Sequence, residues 1–385
     1  MSSYIFSSES VSEGHPDKLC DQISDAILDA YLEKDKNSRV AVECFVKNNF
    51  LIIGGEISSK AKINKEEIKN IARKKIKSIG YDNLSLGFSD KCEILVNLSE
   101  QSPDIAQGVD YKKEKEQGAG DQGLMFGYAC KETKNFMPLA IDLSHKIMQK
   151  ISELRRSREI NGLRPDAKCQ VTVEYENGKP KRAHTIVLSS QHDEDIDYSK
   201  FKNELIEKVI KPICEDWIDN NTIYHINPTG KFVFGGPAAD TGLTGRKIIV
   251  DSYGGYARHG GGCFSGKDPS KVDRSAAYAA RYISKNIVAA GIADKCEIQI
   301  AYAIGLANPV SIYVECFGTN KIPENKIIEL IKENFPLKPR QIIDQLNLAR
   351  PIYNKTAVFG HFGRNDSDFT WEKLDKVNLL NQKSL

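Results

Sequence analysis

The chain has 385 residues, with 54 Lys and Arg against 52 Asp and Glu, a net charge of +2. That balance excludes a broad basic surface for nucleic acid or anionic membrane, so anion binding rests on local clusters. Apolar residues at 40% and charged residues at 28% describe a folded chain with room for two or three cores, and no apolar run approaches the roughly 18 residues of a membrane span.

The start, Met1-Ser2-Ser3-Tyr4-Ile5-Phe6, lacks the basic-then-apolar pattern of a signal peptide, so the expected compartment is the cytoplasm. Leu19, Ile23, Ala26, Ile27, Ala30 and Tyr31 form the stripe of a first helix. Segment 39–57 then alternates as two strands joined by a turn, and Ile68, Ile71, Ala72 and Ile79 mark a second helix. After a charged, Gly-containing loop at 102–120 the order recurs. Leu143, Ile147, Ile151 and Leu154 give a helix, and 168–192 a strand pair with Cys169, Val171, Val173 and Tyr175 on one face and Asn177-Gly178 as its hairpin turn. Phe201, Leu205 and Val209 give another helix. A Gly-rich loop spans 233–268. A third round follows: Val272, Ala276, Ala279, Ile283 and Ile287, then strands over 295–317 with Cys296, Ile298, Ile300 and Tyr302 on one face, then Ile328, Ile331 and Phe335. The strand pairs start 129 and 127 residues apart. The expectation is an α+β fold of three units on one plan, each with helices on one sheet face and the other face free to pack on a neighbour or a second subunit. Nine cysteines, odd in number and without C-x-x-C spacing, argue against a disulfide framework or structural zinc.

Five segments are too Gly-rich and charged to be plain connectors. In Ser12-Glu13-Gly14-His15-Pro16-Asp17-Lys18, Pro16 suits a first helical position. His15 and Asp17 then flank a helix N-terminus, either as a cap and a dipole partner or as a phosphate contact and a metal ligand. Gly118-Ala119-Gly120-Asp121-Gln122-Gly123 reads as a close approach to a ligand or as a turn whose Asp bonds its own backbone. Arg164-Pro165-Asp166-Ala167-Lys168 enters the second strand pair. In Asp240-Thr241-Gly242-Leu243-Thr244-Gly245-Arg246-Lys247 a fork donor stands beside a point charge, which suits a polyphosphate, and Ile248-Ile249-Val250 is read as the strand that follows. The run 260–274 passes from a glycine cluster into a helix, with Asp268 expected as N-cap, Pro269 in the first turn, and Lys267 and Lys271 facing one anion. Gly261 to Lys267 matches G-x-x-x-x-G-K, but Asp268 stands where a P-loop needs Ser or Thr. The cations Lys168, Arg246, Lys247, Lys267 and Lys271 and the carboxylates Asp17, Asp121, Asp240 and Asp273 thus sit at element ends. No nucleophile–base pair stands out, so the pattern suits a metal–polyphosphate site working by position and charge.

At these residues the chain resembles the S-adenosylmethionine synthetases, or methionine adenosyltransferases. The resemblance runs from Tyr4 to Trp371 and is carried by Ser8-Glu9-Ser10-Val11-Ser12-Glu13-Gly14-His15-Pro16-Asp17-Lys18 and the runs 118–123, 242–251 and 260–281. It implies subdomains at 4–101, 116–232 and 234–372 about a pseudo-threefold axis. It implies a reaction in which ATP, methionine and water give S-adenosylmethionine, phosphate and diphosphate: sulfur attacks C5′ in line, triphosphate leaves, and the triphosphate is then cleaved. It implies dimers, often dimers of dimers, paired through flat sheet faces with active sites between subunits.

Position by position, the resemblance puts His15 by the phosphates and leaving oxygen, and Asp17 and Asp273 on two Mg2+ per site. It puts Glu43 on one K+ per subunit, and Glu56, Gln101, Asp240 and Lys271 at methionine. Asp121, Asp166, Ala167, Lys168, Lys231, Phe232, Asp240, Arg246, Lys247, Cys263 and Lys267 fall at ATP, and 101–111 matches a segment that closes over the site. Lys231-Phe232 departs from the more usual Arg-Phe and gives up bidentate reach. Cys263 replaces a more usual alanine, which raises the question of thiol sensitivity. Two other classes are weighed: a P-loop ATPase, which Asp268 opposes, and a non-catalytic regulatory subunit, which the retained charged residues oppose.

Overall fold

The structure, a computed structural model, describes residues 3–100 and 117–383. Gln101, the segment 101–111 and the run Lys112-Lys113-Glu114-Lys115-Glu116 lie outside the described residues.

Each unit holds a helix that leads into an antiparallel hairpin. In the first, α1 (Pro16–Lys34) leads into β2 (Arg39–Lys47) and β3 (Phe50–Ser58). Helix α2 (Lys65–Ile79) then crosses to β4 (Glu93–Ser99), parallel to β3. In the second, α3 (Leu139–Ser157) leads into β6 (Leu163–Glu176) and β7 (Lys179–His192), and α4 (Tyr198–Leu205) begins the crossover to β8 (Ile223–Ile226), parallel to β7. In the third, α5 (Val272–Ala289) leads into β10 (Lys295–Tyr302) and β11 (Ser311–Glu315), and α6 (Glu324–Asn334) follows. A parallel neighbour requires a crossover connection, which is why a helix stands between β3 and β4 and between β7 and β8.

The repeat has a further feature. The first strand of every hairpin takes an antiparallel partner from elsewhere in the chain. β2 pairs with β9 (Gly242–Leu243), β6 with β1 (Ser3–Val11), and β10 with β5 (Gly123–Cys130). The sheets read β4-β3-β2-β9, β1-β6-β7-β8 and β11-β10-β5. The three units are therefore laced together, and an apolar cluster runs from α1 and β2–β4 through β5 and α5 to β10. A second cluster fills the space between α3, α4 and the β6–β7 hairpin.

Three expectations need correction. β6 starts at Leu163, before Lys168, because Ala167 and Lys168 already pair with Ser190 and Ser189. Ile248-Ile249-Val250 is no strand but part of the helical turn Ile248–Asp251, since three apolar residues carry no period and the Asp251 N–H bonds the Lys247 carbonyl. Asp268 does not cap α5: the helix begins at Val272 with Lys271 in the cap position. The buried Asp268 carboxylate instead accepts the N–H groups of Val40 (2.7 Å) and Ser270 (2.9 Å). Lys267 and Lys271 hold different carboxylates, Asp273 and Asp268.

Candidate active site

The turn before α1 is stitched to the start of β6. Ser12 Oγ donates to the Pro165 carbonyl (2.7 Å) and accepts the Ala167 N–H (2.8 Å). Gly14 passes so close to Pro165 that a Cβ would overlap it. His15 follows in the N-cap position, where its Nδ1 accepts the Asp17 N–H at 3.2 Å. A ring nitrogen that accepts carries no proton, so neutral His15 holds its proton on Nε2. That nitrogen is buried and has no partner among the described residues. Burial, followed by the charges of Lys247 and Lys168, pushes the His15 pKa down to about 2. The ring is neutral, and its 3.9 Å approach to Asp17 is no ion pair.

Asp17 accepts the Leu243 N–H (3.0 Å) and Lys247 Nζ (2.6 Å), with Arg246 Nε at 3.7 Å. Asp166 Oδ2 accepts the Gly236 N–H (2.8 Å), and its buried Oδ1 has no partner among the described residues. Burial pushes the Asp166 pKa up to about 6 against that N–H and the nearby Lys168 charge, while exposed Asp240 pushes the same way as burial. Ala167 is buried in β6, and Lys168 is exposed. Lys231 is exposed beside Phe232, whose N–H donates to His192 Nε2 at 3.0 Å. His15, Asp17, Asp166, Lys168, Asp240, Arg246 and Lys247 thus form one group.

A second group gathers where the 263–267 loop meets β2. Lys267 forms a bridge to Ala41, and its Nζ donates to Asp273 at 2.6 Å. Burial opposes the Lys267 charge, and Asp273 helps outweigh it, so the pKa stands above the usual lysine value. Burial raises the Cys263 thiol pKa although Lys267 opposes it, which disfavours a reactive thiolate. The Gly118 turn reaches the same place, with Gly123 facing Asp273. Asp121 accepts the N–H of its own neighbour Gln122 (2.7 Å). Glu43 and Glu56 lie on the outward face of β2 and β3, in a depression of about 420 Å³ shared with Phe45, Ile52 and Leu243. No hydrogen bond or ion pair joins the two groups directly among the described residues. Lys267 also lies outside a P-loop arrangement, because α5 begins only at Val272.

A row of aspartates runs along α1, and only Asp17 among them is a candidate residue named above. Asp17, Asp21, Asp25 and Asp29 recur at a spacing of four, so they share a helix face. Each accepts main-chain N–H groups from distant loops. Asp21 takes Gly245 (2.8 Å), Asp25 takes Gly266 (2.8 Å), and Asp29 takes Tyr353 (2.9 Å) and Asn354 (2.8 Å). Asp25 is also gripped by the buried Arg274 at 2.7 and 2.8 Å. Four evenly spaced carboxylates were the available signal.

No cluster of three or more His, Cys, Asp or Glu suited to a metal occurs among the described residues. Asp17 and Asp273 each offer one hard oxygen site already matched to a cation. That donor set fits Mg2+, which keeps its waters and takes one or two carboxylates together with substrate phosphates. Glu43 offers a single carboxylate for a larger monovalent ion.

Fold and site together define an α+β protein of three laced units whose loops collect lysine, arginine and aspartate around a place for a polyanion. Three family models match along the chain: the N-terminal domain of S-adenosylmethionine synthetase at residues 3–103, its central domain at 116–232 and its C-terminal domain at 234–373. A relative from Finegoldia magna, named S-adenosylmethionine synthase, is 54% identical over 391 aligned positions that cover 99% of each chain. The chain belongs to the S-adenosylmethionine synthetase family.

Proposed function

We infer that this chain is a methionine adenosyltransferase, converting ATP, L-methionine and water to S-adenosylmethionine, phosphate and diphosphate. The observation that carries the reading is His15: a neutral ring with a buried, unpartnered Nε2–H beside Lys168, Arg246 and Lys247. A thioether is a neutral nucleophile and needs no base. Its sulfur forms a bond to C5′ as the C5′–O bond breaks, and triphosphate leaves with the electron pair. The demand falls on the leaving oxygen, to which His15 Nε2–H donates while Lys168, Arg246, Lys247 and Lys267 balance the phosphate charge. Positioning of sulfur in line with C5′ supplies much of the remaining acceleration. Water then cleaves the triphosphate before release.

Asp166, Ala167, Lys231, Phe232 and Cys263 complete the nucleotide site, and Glu56, Gln101, Asp240 and Lys271 contact methionine. Asp121 and Asp240 favour the cationic sulfonium product. Asp17 and Asp273 would hold two Mg2+, which would further neutralise the triphosphate, and Glu43 would hold one K+. The subdomains run 4–101, 116–232 and 234–372. The enzyme works in the cytoplasm as a dimer, or a dimer of dimers, with each active site between subunits. Support for that arrangement is the separation of the two charged groups within one chain and the outward apolar residues Phe45 and Leu95 on the β4-β3-β2-β9 sheet.

The test is incubation of the purified protein with ATP, methionine, magnesium and potassium. One S-adenosylmethionine with one phosphate and one diphosphate is expected per turnover. Phosphate release that ignores methionine and yields no adenosyl product would overturn the reading.

A further inference from the structure

We propose that Lys18, Asp21 and Asp251 form a buried positioning device that sets the main chain around Arg246 and Lys247 for triphosphate; this rests on the proposed role of that pair. Lys18 is 1% exposed, and its ammonium donates to Asp21 (2.9 Å) and to Asp251. Asp21 and Asp251 are themselves 0% and 2% exposed. None of the three faces solvent or takes part in the reaction described above, yet each is an ionisable group whose burial is costly without a partner.

The two carboxylate residues grip the loop on opposite sides of the basic pair. Upstream, Asp21 Oδ1 accepts the Gly245 N–H at 2.8 Å. Downstream, the Asp251 N–H bonds the Lys247 carbonyl at 2.8 Å. Neighbouring contacts lock the approach: Thr244 Oγ1 accepts the Cys44 N–H (2.9 Å) and meets Ser24 Oγ (2.8 Å), and Asp17 holds the Leu243 N–H. Gly245 has φ of +81° and lies so close to Cys263 that a Cβ would overlap it, so the loop has one tight path. These grips reach residues 246 and 247 through the main chain only, and their side chains meet Asp17, the carboxylate on the same helix. Lys18 ties both grips to α1, the helix that carries His15 and Asp17, so leaving-group donor and phosphate cations share one rigid mount.

The test measures inorganic triphosphate binding by calorimetry together with steady-state kinetics on the full-length protein. Lys18→Met keeps the chain length without the charge. With helicity and thermal midpoint near wild type, it should weaken triphosphate binding and lower kcat each by roughly 10–100-fold, as misplacement of a binding group does, while the KM for methionine moves less than about threefold. Lys18→Met/Asp251→Asn removes one of the two carboxyls that the first change leaves without a cation and should recover part of the lost triphosphate affinity and kcat. If Lys18→Met fails to fold, Asp21→Asn, of nearly the same volume, is read in its place. Triphosphate affinity and kcat within threefold of wild type in a folded variant would overturn the proposal. Arg246→Ala and Lys247→Ala separate the two layers: if neither weakens triphosphate binding, the role of the basic pair is wrong and the positioning role falls with it.

Discussion

A histidine that spends one nitrogen on a helix cap has its other nitrogen defined. Because His15 Nδ1 takes the Asp17 N–H, Nε2 is a fixed donor, and burial among lysines keeps the ring neutral. His15→Ala removes that donor without adding charge. The expected result is a loss in kcat of about 100–1,000-fold, the usual effect of deleting one donor to a developing oxyanion, with KM for ATP changed far less. Steady-state kinetics decide it, and a kcat within tenfold of wild type refutes the role. The same residue enters an acid-stability prediction. His15, His145 and His361 are buried, and burial lowers their pKa values, to about 2, to about 3 and well below 6.5. Their contribution is present above pH 6.5 and is lost as pH falls. Asp29, Asp251 and Asp166 have pKa values raised by burial to about 7, 7 and 6. Their contribution is present below about pH 4 and is lost as pH rises to 7. Between pH 4 and 6 the raised carboxyls, Asp21 and Asp142 among them, oppose the histidines, and below pH 4 the histidines are joined by Asp268 and Glu372, which, against burial, their cationic partners hold below the usual carboxylate range. The urea midpoint should therefore change little from pH 6 to 4.5 and drop below 4. A steady fall from pH 6.5 downward would show that the carboxyls are not protonated in the folded chain.

Elements whose signal lies within themselves were legible, and elements defined by distant partners were not. The stripes of α1, α3 and α5 and the alternation of β2, β6 and β10 come from local period, which burial of one face imposes. Strands β1, β5 and β9 are strands because β6, β10 and β2 receive them, and nothing inside Gly242-Leu243 announces that. The charged loops announced themselves through glycine and charge. The reason for a glycine at 14 appeared only with Pro165 across the gap. The aspartate row on α1 was visible as spacing, but its meaning depended on Gly245 and Gly266 arriving beside it. Gly14→Ala tests the seam between the turn and β6. A Cβ there pushes the turn from Pro165, which should cost about 1–3 kcal/mol as an overpacked contact and carry His15 off its place. Both a lower thermal midpoint and a kcat loss with nucleotide binding retained are expected. An unchanged midpoint and kcat would mean that the turn shifts freely.

At the scale of the whole molecule the question is how one polyanion meets cations that the chain keeps in two groups. His15, Asp17, Arg246 and Lys247 are joined by short contacts, and so are Lys267 and Asp273, but nothing joins the sets directly among the described residues. The outward face of the β4-β3-β2-β9 sheet carries Phe45 and Leu95, 37% and 51% exposed, next to Glu43 and Glu56. In the dimer proposed above, a second copy would cover these apolar residues and bring its own second group toward the first group of its neighbour. Leu95→Glu should then yield a 43.0 kDa monomer by sedimentation with its helicity kept and its activity lost. A sharper consequence follows from sharing. His15→Ala and Lys267→Ala should each be nearly inactive alone. Mixed and allowed to exchange subunits, they form heterodimers in which one site inherits both defects and the other inherits neither. With random exchange half of the dimers are mixed, so about a quarter of wild-type activity should return. If both residues serve one site from one chain, mixing returns nothing, and the shared-site arrangement is wrong even if the dimer is real.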